Sequence, residues 1–251
     1  MHKPIFCLTI LMIHISLAAQ PVRQVQTLMP EIVTTIPHDP EAFTQGLICL
    51  DSLLYESTGL VGKSSLQKLD LKGNILKRIQ VPEVFAEGIA VLDGELVQLT
   101  WQEGIAIRYQ FPSLTTKGTY HYEGEGWGLS SDSSQFIMSN GSDSIYFRNS
   151  RFEIERAIQV TLNGKPISQI NELEFVNGKI YANVWFQNFI VEISPMTGKV
   201  NRIINCSELV KREQISDPNQ VLNGIAYCKG KRLWYLTGKN WHNIYVVRIP
   251  D

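Results

Sequence analysis

Three observations in the sequence predict an all-β fold, a five-bladed β-propeller closed by pairing of its N- and C-terminal strands. Helical periodicity is nearly absent, and short apolar runs are broken by Gly, Asn, Asp and Ser, the pattern of many short antiparallel strands. One segment type recurs five times: its third residues are Gly46, Gly88, Gly128, Glu172 and Gly224, separated by 42, 40, 44 and 52 positions, a spacing that suits propeller units. A strand-like stretch precedes the first unit and another ends the chain, so the two can share the last blade and protect its edge.

The elements follow in order. Residues 1–19 have a short basic start, an apolar run from Ile5 to Leu17, and small residues at Ser16, Ala18 and Ala19. They read as a secretory signal peptide, because the run is shorter than the ~20 residues a spanning helix needs. Residues 20–30 are expected as a short leader and 31–251 as the propeller domain. "EIVTTIPHD", from Glu31, supplies the closing strand, and His38-Asp39 between Pro37 and Pro40 reads as a turn.

The five units begin "TQGLICLDSLLYEST" at Thr44, "AEGIAVLDGELVQLTW" at Ala86, "GWGLSSDSSQFIMSN" at Gly126, "INELEFVNGKIYANVW" at Ile170 and "LNGIAYCKGKRLWYLTGKNW" at Leu222. Each opens with a polar or aromatic residue, then Gly or Glu, then Leu or Ile, and turns within about six residues, at Asp51-Ser52, Asp93-Gly94, Asp132-Ser133, Asn177-Gly178 and Lys229-Gly230. The widest gap holds the one helical candidate, "SELVKREQI", residues 207–215, with Ser207 as N-cap. "NIYVVRIP" ends the chain.

The formal net charge of −1 over 251 residues, with 19% charged and no basic stripe, argues against a nucleic-acid partner. The histidines outside "PHDP" show no metal-ligand spacing, and no phosphate-loop, dinucleotide or Gly-x-Ser-x-Gly signature is present. Cys49, Cys206 and Cys228 remain after signal removal. An odd count leaves at least one thiol free, and both a Cys49–Cys228 bridge and buried free thiols stay open.

In a propeller the innermost strands line the central channel, so equivalent positions form rings. The residue before each third position gives Gln45, Glu87, Trp127, Asn171 and Asn223. The second-strand ends give Thr58, Trp101, Asn140, Trp185 and the stretch Thr237–Lys239. One carboxylate, one lysine, amides and tryptophans would converge on a pocket of apolar walls and few polar groups, suited to a small molecule or a peptide end. Glu87 is the one carboxylate expected in the inner ring, which argues against a calcium-dependent propeller hydrolase.

At "FTQGL", "EGIAVL", "EGWGL", "INELEF", "LNGIAY" and "LTGKNW" the chain resembles the glutaminyl-peptide cyclotransferases of the plant and bacterial type, from about Ile32 to the C-terminus. The resemblance implies a five-bladed propeller that cyclises an N-terminal glutamine to pyroglutamate and releases ammonia, without zinc or other cofactor. It implies catalytic roles for Glu87, Asn171 and Lys239, and substrate-binding roles for Phe43, Gln45, Phe85, Trp101, Trp127 and Trp185. Glu87 would act as general base, then general acid. The expected partners are peptides or proteins with N-terminal Gln, with no nucleic acid, no membrane after signal removal, and a secreted or periplasmic monomer. The rival reading is a non-catalytic propeller that binds peptide N-termini or a small ligand.

Overall fold

Each predicted unit forms one antiparallel blade in a computed structural model that describes residues 25–250; the predicted signal peptide, residues 1–19, lies outside them. Blade 1 comprises Thr44–Leu50, Leu53–Thr58, Ser65–Asp70 and Ile75–Gln80. Blade 2 comprises Ala86–Leu92, Glu95–Thr100, Ile105–Gln110 and Thr115–His121. Blade 3 comprises Leu129–Ser131, Phe136–Ser139, Ser144–Arg148 and Ile154–Gln159. Blade 4 comprises Ile170–Val176, Lys179–Val184, Phe189–Ile193 and Val200–Asn205, and Gln26–Leu28 adds a fifth, parallel strand at its edge. Part of the segment expected as a leader is thus a strand of the ring. Blade 5 comprises Leu222–Cys228, Leu233–Gly238 and Asn243–Arg248, completed by Glu31–Pro37 from the N-terminal side.

The first strand of each blade touches the first strands of its two neighbours, so the ring closes. These inner strands are buried on both faces, which is why they read as near-continuous apolar runs. Leu47 and Ile48 show the consequence: successive side chains point to opposite faces, Leu47 into the cluster with blade 5 and Ile48 into the cluster with blade 2. Each of the five blade–blade interfaces holds one such hydrophobic cluster. The outermost strands, such as Ile75–Gln80, are mostly exposed.

Glycine at the third position permits this crowding. A Cβ on Gly46 would lie 2.8 Å from the Ile89 backbone nitrogen, and Cβ atoms on Gly88 and Gly128 would meet the next blade's backbone closer still. In unit 4 the position is Glu172, fully buried, whose carboxylate accepts from the backbone N–H of Leu47 (3.3 Å) in blade 1 and Ile225 (2.9 Å) in blade 5. The inner ring therefore carries a second carboxylate besides Glu87. Burial pushes the Glu172 carboxyl well above the usual range.

The two-residue turns at Asp51-Ser52, Asp93-Gly94 and Asn177-Gly178 have positive φ at both positions, the conformation that suits the strand twist. In blades 3 and 5 the turn is a four-residue loop instead, with Ser133 and Arg232 at positive φ. The helix is shorter than expected, Ser207–Arg212, and is capped by Cys206 rather than Ser207. Ser207 is already helical, and its N–H is taken by the Asn205 side chain at 3.0 Å. Leu209 seats the helix on the cluster between blades 4 and 5.

Cys49 and Cys228 form a disulfide between the inner strands of blades 1 and 5, and Cys206 is a buried free thiol. No helix among the described residues is long and apolar enough to cross a membrane.

Candidate active site

A backbone irregularity at the start of the inner hairpins delivers the site residues. In blade 1 the register jumps from Thr44↔Thr58 to Gly46↔Ser57, leaving Gln45 outside the ladder. In blade 2 it jumps from Ala86↔Thr100 to Ile89↔Gln98, so Glu87 and Gly88 oppose Leu99 alone. Blades 4 and 5 repeat this at Asn171-Glu172 and Asn223-Gly224. In blade 3, Trp127 donates its N–H to the Ser139 carbonyl and Ser139 donates to the Gly128 carbonyl, again two residues against one. Such bulges bend the strand and re-aim a side chain. The residue after the second strand then hydrogen-bonds back across the hairpin mouth: Trp101 N–H to Phe85, Trp185 N–H to Gln169 and Lys239 N–H to Val221.

The result is a cavity of about 160 Å³ lined by Phe43, Gln45, Phe85, Glu87, Trp101, Trp127, Asn171, Trp185 and Lys239. All nine residues singled out in the sequence meet there, and every blade contributes at least one. Phe43, Phe85 and Trp101 form one wall through edge-to-face contacts at 6.1 and 5.6 Å, and Trp127 meets Trp185 edge-on at 5.4 Å. Gly59 and Gly141 make room for these rings: a Cβ at either would lie 2.5 Å from Phe85 or Trp127 respectively. Thr58 and Asn140, expected at the mouth, are used otherwise. Thr58 bonds Ser65 inside blade 1, and Asn140 folds back onto Ser142.

The polar groups are few and placed. Asn223 Nδ2 donates to Gln45 Oε1 at 3.3 Å, and Gln45 Nε2 donates to Glu87 Oε1 at 2.9 Å, so the amide of Gln45 has one fixed orientation. Asn223 itself lies behind the lining. The Lys239 ammonium stands 4.6 Å from the Phe43 ring centroid and 5.9 Å from that of Trp185. Asn171 Oδ1 is buried at the cavity without a hydrogen-bond partner, an unmet acceptor of the kind a ligand would satisfy.

Burial dominates the electrostatics. It raises the Glu87 carboxyl well above its ordinary value; Lys239 opposes that rise, while Glu103 and Glu125 add to it. Burial likewise lowers Lys239 to about 8, against the pull of Glu87. Burial thus shifts the two groups toward each other, the carboxyl up and the amine down. A carboxyl and an amine so tuned, beside an amide and inside aromatic walls, can move protons and polarise a carbonyl.

Sequence reasoning missed three supports. Glu125 Oε2 accepts from the indole N–H of both Trp101 and Trp127, each at 2.9 Å. Glu103 accepts from the backbone N–H of Phe85 at 2.9 Å. His38, read as part of a turn, is buried; its Nδ1 donates to the Trp241 carbonyl at 2.8 Å and its Nε2 meets Glu56 at 2.9 Å. Burial disfavours the His38 imidazolium, but Glu56 more than offsets it, so His38 keeps its proton above the usual histidine value. The bond to Trp241 ties the loop before Phe43 to the loop after Lys239, and Glu56 anchors His38 to blade 1. The signals available were "EGEGW", which sets a carboxylate two residues from Trp127, and a lone His flanked by prolines.

A profile of the family described as glutamine cyclotransferase matches residues 6–249. The chain is 34% identical over 228 residues to the glutaminyl-peptide cyclotransferase of Arabidopsis thaliana, covering 88% of this chain and 71% of that protein. It superposes on the crystal structure of Myxococcus xanthus glutaminyl cyclase with a TM-score of 0.85 and 36% identity, covering 90% of this chain and 98% of that one.

Proposed function

Because the chain belongs to the glutamine cyclotransferase family, we propose that it cyclises the N-terminal glutamine of peptides or proteins to pyroglutamate, releasing ammonia, with Glu87 as the proton carrier. The observation that carries this reading is the cavity: one buried carboxyl and one buried amine face a space of about 160 Å³ between aromatic walls. That is smaller than the ~300–1,000 Å³ typical of drug-sized sites and suits one side chain with its own backbone.

The α-amine of the substrate attacks its own side-chain carboxamide carbon. Its pKa of ~7.7–8.0 leaves part of it neutral near pH 7. The walls fold the substrate so that the two reacting atoms approach, which replaces an encounter by a positioned contact. As the new C–N bond forms, Glu87 takes a proton from the attacking nitrogen. It then gives that proton to the amide nitrogen, the old C–N bond breaks, and ammonia leaves. An ordinary carboxyl near pKa ~4.3 would rarely hold a proton at neutral pH; the raised Glu87 can serve both steps. Lys239 donates to the carbonyl oxygen as it gains charge, and Asn171 offers a second amide there. Gln45, with its oxygen already committed to Asn223, holds the Glu87 carboxylate in place.

The test is ammonia release from a short Gln-initiated peptide beside an Ala-initiated control. Wild type is expected to turn over only the first, and Glu87→Gln to lose about 10²-fold or more while unfolding at the same temperature range. Folded wild type without ammonia release would sink the reading. Turnover is expected to persist in excess chelator, since the proposed steps need only protein side chains. We also propose that the protein acts as a secreted or periplasmic monomer. The signal-like residues 1–19 and the disulfide support the compartment, and a site complete within one chain supports the monomer.

A further inference from the structure

Glu125 stands outside the cavity lining yet controls two of its walls. One oxygen, Oε2, accepts both the Trp101 and the Trp127 indole N–H at 2.9 Å, and the other, Oε1, accepts from the Gln102 amide at 2.9 Å. The carboxylate is therefore fixed in position, and it fixes two rings that come from different blades. A Glu125 that moved would leave both indole donors without their acceptor. Trp101 is also the lining residue most open to solvent, at 37% exposure, so the cavity mouth lies on this side. Glu103 lies beside it, held by the Phe85 and Gln102 backbone N–H groups at 2.9 and 3.2 Å. The buried, unpartnered Asn171 Oδ1 marks the same cavity independently as a place where a ligand binds.

Taking the glutamine-cyclising reading as its basis, we propose that Glu125 is a positioning and specificity residue: it locks Trp101 and Trp127 in the cavity wall and, with Glu103, disfavours an acidic residue after the substrate glutamine. A peptide whose first residue fills the cavity can carry its second residue out past Trp101, the most exposed of the lining residues. There two fixed carboxylates meet it, repelling an acid and attracting a base. Gln45 touches Glu87, and Lys239, Glu103, Glu125 and the Tyr122 phenol act on it through charge, so removing the Glu125 charge also eases ionisation of Glu87.

The experiment compares wild type, Glu125→Gln and Glu125→Ala on Gln-Lys-, Gln-Ala- and Gln-Glu-initiated peptides across pH. Wild type is expected to prefer the Gln-Lys over the Gln-Glu peptide by about threefold to tenfold in kcat/KM at low salt, a preference that shrinks near 1 M salt, where screening acts within about 3 Å. Glu125→Ala is expected to raise KM about tenfold for all three, because the indoles lose their acceptor. Glu125→Gln keeps an acceptor oxygen, so it is expected to restore KM for the Gln-Ala peptide while flattening the charge preference and moving the acid limb of kcat/KM to lower pH. Unchanged KM in Glu125→Ala, or an unchanged preference and acid limb in Glu125→Gln, overturns the proposal. If wild type cyclises none of the peptides, the cyclisation reading has failed separately. Calorimetric affinity for the same three peptides then decides the charge preference, and equal affinities overturn it.

Discussion

Lys239 is a lysine kept from behaving as one. It is 5% exposed, its ammonium faces the rings of Phe43 and Trp185, and its pKa is lowered to about 8. The ammonium form is present below that value and lost above it. If the ammonium is the carbonyl donor, kcat/KM falls as pH rises past about 8. The acid limb is set by the substrate amine and by Glu87, whose carboxyl titrates well above the ordinary carboxylate range. Lys239→Met is expected to remove the alkaline limb and to cost about 10²–10³ in kcat, the scale of losing one oxyanion donor; a pH–rate profile of the two proteins checks both. An unchanged alkaline limb would assign it elsewhere. The residue types were legible in the sequence because Glu87, Asn171 and Lys239 sit at matching points of repeated motifs. Glu125 and His38 were not, because what they do depends on partners that only the fold brings near. Trp101 is 24 residues from Glu125, and Trp241 is 203 from His38.

At the scale of elements, the inner hairpin does two jobs with one irregularity. Its bulge turns a channel residue toward the site, and the glycine beside it lets the next blade close in. Gly88 shows the second job: its N–H donates to the Trp127 carbonyl at 2.7 Å, and a Cβ there would strike the backbone around Gly128 and Leu129. No flexible side chain can yield, so Gly88→Ala is expected to cost about 3 kcal/mol or more, above the common overpacking range, and to lower the yield of folded protein; urea unfolding measures it. The same change at Gly94, where a Cβ meets nothing, costs only the strain of a positive φ. The sequence showed the five units, their order and most turns, because apolar alternation and Asp-Gly or Asn-Gly pairs are local signals. It did not show the bulges, since two residues facing one is a property of a strand pair. Nor did it show that Glu172, at the one inner position without glycine, reaches across the ring to two other blades.

At the scale of the molecule, one seam carries two fasteners. Glu31–Pro37 pairs with Asn243–Arg248, and Cys49–Cys228 joins blade 1 to blade 5 beside it. The bridge spans 179 residues of chain, for which the chain-entropy account gives an upper figure of about 5 kcal/mol. The Cys49→Ala/Cys228→Ala pair is expected to lose roughly 2–5 kcal/mol in denaturant unfolding yet keep kcat at temperatures where it stays folded, because neither cysteine lines the cavity. Equal stability with and without the bridge would mean that the paired strands alone hold the seam. The seam also acts as a clock. Glu87 leaves the ribosome long before Lys239, and the strand that begins the ring waits for the strand that ends it. A nascent chain owns the carboxylate but has no pocket around it. All nine lining residues can surround one space only after blade 5 has joined blade 1, because Lys239 comes from blade 5 and Gln45 from blade 1.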